Sequence, residues 1–187
     1  MYWSISLKNI IQGAAAVLIA AVFSGCQSAD KANTERKEHA RYFDLPSYFQ
    51  QEIDSLAKAN PKINKTVMKD DKEETKQVHI KDWTTELSSF QSIDLNKPAY
   101  EGHIKTDTID QVIQYSFTDP ELDLSCVRIK MDPSGKPALI SIEKHVKNTL
   151  YGTTEFLVYE KDSFYLVEKN QAVRVMGDNY YKVQGEF

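Results

Sequence analysis

The side chains that could do chemistry are few and far apart. The four histidines, His39, His79, His103 and His145, stand in separate segments. Glu101 and His103 are two residues apart in a segment expected to be a strand, where alternation puts both on one side. Zinc needs three or four convergent ligands, and this spacing supplies two, so no metal site is expected. Cys126 follows Leu124 at strand spacing. Nothing beside it in the sequence would lower its pKa, so it reads as a packed thiol rather than a nucleophile. The chain has no Gly-x-Ser-x-Gly elbow, no phosphate-binding or dinucleotide loop and no His-Glu-x-x-His. No catalytic residue and no cofactor are therefore assigned, and enzymatic activity is not expected.

Tyrosine is the one enriched functional type. Tyr151, Tyr159, Tyr165, Tyr180 and Tyr181 crowd the last third, with Phe156 and Phe164 among them. Tyrosine forms strands well and packs in cores, but its ring with a polar tip also suits grooves and interfaces. Tyr151, Phe156, Tyr159, Phe164 and Tyr165 are thus the candidate aromatic groove. Two tripeptides, Asp54-Ser55-Leu56 and Asp107-Thr108-Ile109, resemble the acceptor pattern of bacterial O-glycosylation. Ser55 falls on an expected helix and Thr108 in an expected loop, which leaves Thr108 as the candidate acceptor.

The other cysteine, Cys26, sits in "AVFSGCQSAD" at the end of an unbroken apolar run from Ala14 to Phe23, with Lys8 the only charge before it. That run falls short of the roughly 20 residues that span a bilayer and has the form of a secretion signal. Phe23-Ser24-Gly25-Cys26 resembles the lipobox of bacterial lipoproteins, with phenylalanine in place of the usual aliphatic residue. The resemblance implies a signal peptide over 1–25 and a diacylglyceryl group, palmitate or a similar chain, on the Cys26 thiol. Two or more acyl chains hold a protein on a membrane without spanning it. Gln27 stands where an aspartate would resemble an inner-membrane retention signal, which favours the outer membrane facing the periplasm.

Of the 23 basic residues only Lys8 precedes Cys26, so the processed chain keeps 22 against 27 acidic residues. A mildly acidic body lacks the basic footprint of a nucleic-acid binder. With Cys26 modified, Cys126 has no intramolecular partner, and no disulfide framework is possible.

These features need a scaffold, and the hydrophobic periods describe one. Residues 26–41 are polar and charged without an apolar period, a flexible tether. Residues 42–187 form a single α+β domain. "FDLPSYFQQEIDSLAKANP" predicts a helix with Asp44 as its cap, Pro46 in its first turn and Leu45, Tyr48, Phe49, Ile53 and Leu56 on one stripe. "INKTVMKDDKEETKQVHI" predicts a solvated hairpin turning at Asp70-Asp71-Lys72. "DWTTELSSF" predicts a second helix capped by Asp82, with Trp83, Leu87 and Phe90 on one face. From Ala99 the period becomes two. Strands are expected around Ile113–Phe117, Ser125–Met131 and Ile140–Val146, then through Phe156–Tyr159, with a tight turn at Asp132-Pro133-Ser134-Gly135. Breaks at "KDS", "NQ" and "GDN" predict three last strands, Phe164–Lys169, Ala172–Met176 and Tyr180–Phe187. The expected fold is α+β, an antiparallel β-meander sheet with the two N-terminal helices packed on one face.

"FDLPSYFQQEIDSL", "NKTV", "DWTTELSSF", "DLNKPAY" and "NTLYGTTEFLVYE", in this order, resemble a family of small uncharacterised lipoproteins of outer-membrane-bearing bacteria. The resemblance covers most of the processed chain and carries no activity or functional residue with it. The expectation is a lipid-anchored envelope protein acting as a non-enzymatic binding or accessory module, with an envelope protein or a hydrophobic ligand as partner. Two rivals stand beside it. One is a carrier of a lipid or other hydrophobic ligand in a curved-sheet cavity. The other is an envelope hydrolase, which would need a nucleophile or base oriented in a cleft.

Overall fold

The computed structural model describes residues 41–174 and 177–187. The expected signal peptide, the lipobox with Cys26, His39 and nearly all of the tether lie outside the described residues, as do Val175 and Met176. Residues 41–187 form one compact unit. Nine strands make a single open antiparallel sheet: β1 (Lys62–Lys69), β2 (Lys72–His79), β3 (Ile104–Ile109), β4 (Val112–Phe117), β5 (Leu124–Met131), β6 (Pro137–Lys147), β7 (Tyr151–Glu160), β8 (Phe164–Val173) and β9 (Gly177–Glu186). Their order is β2-β1-β9-β8-β7-β6-β5-β4-β3. Seven strands thus run as a meander, and the early β1–β2 hairpin joins its far side by pairing β1 with β9.

Helix α1 (Leu45–Ala59) begins where the sequence places it. The Asp44 carboxylate accepts from the Ser47 N–H at 3.0 Å and from the Ser47 hydroxyl at 2.7 Å, which satisfies the open first turn. It ends at Asn60, whose left-handed backbone lets its N–H reach the Leu56 carbonyl. The expected second helix is instead two single turns, α2 (Trp83–Glu86) and α3 (Ser88–Gln91). Asp82 caps the first as expected, accepting from the Thr84 and Thr85 N–H groups. The break at Leu87 follows from composition. Thr84, Thr85, Ser88 and Ser89 are weak helix formers, and the Ser88 hydroxyl donates to the Thr85 carbonyl at 2.8 Å, competing with the helical ladder.

Four further expectations change. "GDN" is not a break: Gly177, Asp178 and Asn179 open β9 and pair with Val173, Ala172 and Gln171. "NQ" does not separate two strands: Asn170 pairs with Thr154 on one side and Tyr180 on the other, so β8 runs through it. Pairing on both flanks overrides the turn preference of the two residues. Thr108 lies on the edge strand β3 rather than in a loop. Glu101 and His103 precede β3, in the turn after a 3₁₀ turn at Pro98–Tyr100, so strand alternation does not place them together.

The register defines two faces. Ile113, Ile129, Ile140, Tyr159, Tyr165, Gly185 and Lys65 stand side by side across neighbouring strands. Two residues along, Tyr115, Val127, Ile142, Leu157, Val167, Val183 and Val67 form a parallel row on the same face. The hydrophobic core joins the middle of these rows to Leu45, Phe49 and Ile53 of α1 and to Trp83, Leu87 and Phe90. The Phe49 and Tyr159 rings meet edge to face with centroids 5.3 Å apart, and Trp83 meets Tyr165 at 6.2 Å, near the favoured geometry of aromatic pairs.

Gly185 makes room for that arrangement. A Cβ there would overlap the Tyr165 ring, and the ring cannot swing aside because Tyr165 is fully buried and its hydroxyl is bonded. Gly185→Ala should therefore destabilise the protein by about 1–3 kcal/mol, the usual cost of overpacking. Phe49→Ala should cost about 3–5 kcal/mol, as for large buried aromatics. Urea unfolding followed by circular dichroism measures both; a loss below about 0.5 kcal/mol for either would put that side chain outside the core.

Candidate functional site

Two glutamates enter the interior on helical segments. Glu52 of α1 is buried, and its Oε2 accepts from the Tyr159 hydroxyl at 2.8 Å and from Lys161 Nζ at 2.7 Å. Glu86 of α2 repeats the pattern: its Oε1 accepts from the Tyr165 hydroxyl at 2.6 Å and its Oε2 from Lys65 Nζ at 2.7 Å. Tyr159 and Tyr165 are cross-strand partners in β7 and β8. The two carboxylate–tyrosine–lysine groups therefore spring from one pair of adjacent positions in the sheet.

Sequence reasoning missed both glutamates, although the signal was there. Glu52 falls on the Leu45–Phe49–Leu56 stripe at helical spacing, and Glu86 sits three residues after Trp83 on its face. A charge on an apolar stripe needs a partner. A tyrosine and a lysine each serve here. Burial pushes the Tyr159 hydroxyl far above the usual tyrosine range, reinforced by its hydrogen bond to Glu52 and by that carboxylate's charge. Burial does the same to Tyr165, reinforced by Glu86. Neither hydroxyl can lose its proton at neutral pH, so both are hydrogen-bond donors and not bases.

The opposite face is built differently. Phe156, Val158, Phe164 and Leu166 point away from Tyr159 and Tyr165 by strand alternation and stand outside the core cluster. Beside them, Arg128 donates through Nε to Gln114 Oε1 at 3.0 Å and through a terminal nitrogen to Glu143 Oε1 at 2.6 Å. Gln114 in turn donates to the Ser116 hydroxyl at 3.0 Å. Cys126 pairs across strands with Ser116 and Glu143 on this face and is buried. Burial pushes its thiol up; Arg128 pulls the other way, Glu143 adds to the rise, and the Ser116 hydrogen bond does not reverse it. An unactivated thiol is a poor nucleophile.

The candidate aromatic groove is divided by these faces. Tyr159 and Tyr165 are enclosed in the core, Phe156 and Phe164 are half-buried on the opposite face, and Tyr151 is exposed at the start of β7. The pleat separates residues whose sequence proximity suggested one surface. Thr108 is exposed on edge strand β3, where its own N–H is bonded to the Asp107 side chain. The histidines stay apart. His79 Nδ1 lies 3.0 Å from the Asn60 carbonyl, His103 Nδ1 is 3.8 Å from Asp119, and His145 Nδ1 is 3.4 Å from the Thr154 hydroxyl. Among the described residues no group of three or more His, Cys, Asp or Glu could hold a metal ion.

A shallow open depression of about 380 Å³ lies at one end of the sheet, lined by Pro120, Glu121, Asp123, His145, Val146 and Lys147. Asp123 is already engaged by the Tyr100 hydroxyl at 2.6 Å. The remaining lining mixes Glu121, His145 and Lys147 with Pro120 and Val146, and the depression is open to solvent. Compared with known family models, curated proteins and solved structures, the chain finds no match.

Two outcomes follow from these environments. A free tyrosine ionises near pH 10. Because the folded state holds the Tyr159 and Tyr165 protons beyond that point, the stability they confer is complete below about pH 10 and falls as the pH rises above it. In an alkaline titration their phenolate absorbance, identified as the part lost in Tyr159→Phe and Tyr165→Phe, should appear only together with loss of the near-ultraviolet circular dichroism. Ionisation in the still-folded protein would show that the carboxylate bonds do not form. The Cys126 thiol, read in a Cys26→Ser chain with a chromogenic disulfide at pH 8, should react on the order of 100-fold slower folded than unfolded.

Proposed function

We propose that this chain is a lipid-anchored envelope protein, held at Cys26 on the periplasmic side of the outer membrane, that works as a non-enzymatic binding or accessory module. In this reading α1 and the short turns α2 and α3 serve as the cover of the Tyr159–Tyr165 face in an α+β domain. The opposite face of the sheet then meets the partner. One observation carries the reading: Phe156, Phe164 and Leu166, half-buried around the buried Val158, form an apolar band outside the main core cluster. Gln114, Arg128 and Glu143 frame it with a bonded polar edge. An apolar centre with a polar margin is the usual anatomy of a protein–protein contact, and Arg and aromatic side chains are enriched there. An apolar band spread over two neighbouring strands suits an envelope protein as partner better than a small molecule, which needs a cavity. A carrier would need an apolar cavity, but the inner-face tyrosines are engaged by Glu52 and Glu86. A hydrolase would need an activated nucleophile, and burial pushes the Cys126 thiol the wrong way.

Photo-crosslinking in the native envelope tests the face. A crosslinking residue at Phe156 or Leu166 should give a discrete higher-mass adduct, while one at Glu74, exposed on edge strand β2 and opposite Val67 on the other face of the sheet, should not. The same pattern from all three positions, or none from the first two, would remove the face from consideration. The anchor is tested separately: a fatty-acid label should mark the wild type and not Cys26→Ser, and equal labelling would refute it.

A further inference from the structure

Among the described residues, five large apolar side chains are more than a third exposed: Val67, Ile109, Val146, Leu150 and Tyr151. Three of the five fall within six positions, at the tip of the β6–β7 hairpin. Leu150 is 71% exposed, the highest of the group. Isolated exposed hydrophobes are ordinary, but a cluster at a protruding tip signals an interaction site. We propose that this tip is a membrane-contacting element that dips into the headgroup and upper acyl region of the lipid surface to which the chain is anchored. This rests on the reading of Cys26 as the lipid attachment.

Three observations favour a lipid surface over another occupant. The first is the backbone. Lipid penalises polar groups that have no partner. Here the Asn148 side chain accepts from the Leu150 and Tyr151 N–H groups, both at 2.9 Å. The Asn148 N–H donates to the Tyr151 carbonyl, and the Leu150 carbonyl accepts from the Arg174 N–H of the next hairpin. The tip can leave water with these groups already satisfied. The second is charge. Exposed Lys147 and Arg174 flank the apolar residues; of the two acids that share the depression with Val146 and Lys147, Asp123 is engaged by the Tyr100 hydroxyl. Basic side chains beside an apolar tip match an anionic lipid surface, and tyrosine favours the interfacial level. The third is size and reach. A hairpin tip is too narrow for the roughly 800 Å² per partner of a stable protein interface. The backbone of Tyr42 is held by the domain near its start: its N–H donates to the Asn96 side-chain oxygen and its carbonyl accepts from the Asn96 amide. The sixteen residue steps from Cys26 to Tyr42 can extend to about 50 Å. The ten residues of β7 span about 33 Å. The tether can therefore deliver either end of the sheet to the bilayer, and the apolar tip selects this one.

The test uses the lipidated full chain in vesicles of phosphatidylethanolamine and phosphatidylglycerol. An environment-sensitive fluorophore is placed on Thr149→Cys, which keeps all three apolar residues, or on Ser134→Cys in the β5–β6 turn at the opposite end. Buried Cys126 does not compete for label under native conditions. The Thr149 label should shift to the blue and be quenched several-fold more than the Ser134 label by acyl-chain nitroxide lipids. Adding Leu150→Asp and Tyr151→Asp should return it to aqueous emission, and omitting phosphatidylglycerol should weaken the quenching. Equal, aqueous emission from both labels while the chain floats with the vesicles would overturn the proposal and leave the anchor intact. Failure to float would overturn the anchor and the proposal with it. A Thr149 label that is buried only after envelope proteins are added would assign the tip to a protein and overturn the lipid reading.

Discussion

The structure depends on how two carboxylates are kept in an apolar interior. An unpaired buried carboxylate would cost several kcal/mol. Glu52 and Glu86 avoid that because each receives a tyrosine hydroxyl from the sheet and a lysine, Lys161 of the β7–β8 turn and Lys65 of β1. These bonds have direction, which hydrophobic contacts lack. Apolar side chains alone would let a short helical segment slide over the sheet at little cost; a buried carboxylate holds it where its partners are. The effect is strongest for α2, a single turn too short to be stable alone. Its position is fixed by Glu86 below and the Trp83–Tyr165 contact beside it. Both groups converge on the Tyr159–Tyr165 pair, so β7 and β8 set the geometry of everything that lies against them.

Local signals in the sequence revealed most of the strands and helix α1. Asp44, Pro46 and the apolar stripe mark the start and face of α1, and the Asp132–Gly135 turn announces itself by residue type alone. The antiparallel arrangement was legible in the alternation after residue 112. What stayed hidden depended on partners distant in the chain. Asn170 and Gln171 look like a turn until β7 and β9 flank them. The single helix expected from Asp82 to Phe90 fails because the Thr-Thr and Ser-Ser pairs compete with its ladder, which a stripe of Trp83, Leu87 and Phe90 does not disclose. The position of β1 beside β9 had no local signal at all.

The candidate sites show the same division. Composition identified aromatic enrichment correctly, but a groove is a property of one surface. Odd and even positions of β7 and β8 serve opposite faces, so Tyr159 and Phe156 could never line the same wall. Buried Glu52 and half-buried Glu86 were legible in principle, as acids out of place on apolar stripes. The apolar band around Val158 was not, because a face outside the core cluster and a face within it have similar alternation. Only the core's membership separates them.

The pairing of β1 with β9 ties the beginning of the domain to its end. Lys65 and Gly185 are neighbours in space and 120 positions apart in sequence. A chain made from its N-terminus must therefore hold the β1–β2 hairpin without its partner until β9 has emerged. Closing so long a loop is entropically slow, and topologies rich in distant pairings fold in milliseconds to seconds rather than microseconds. The charged, soluble side chains of the hairpin, Lys72, Glu73, Glu74 and Lys76, suit that wait. They keep an unpaired strand from joining the wrong neighbour while β9 is still missing.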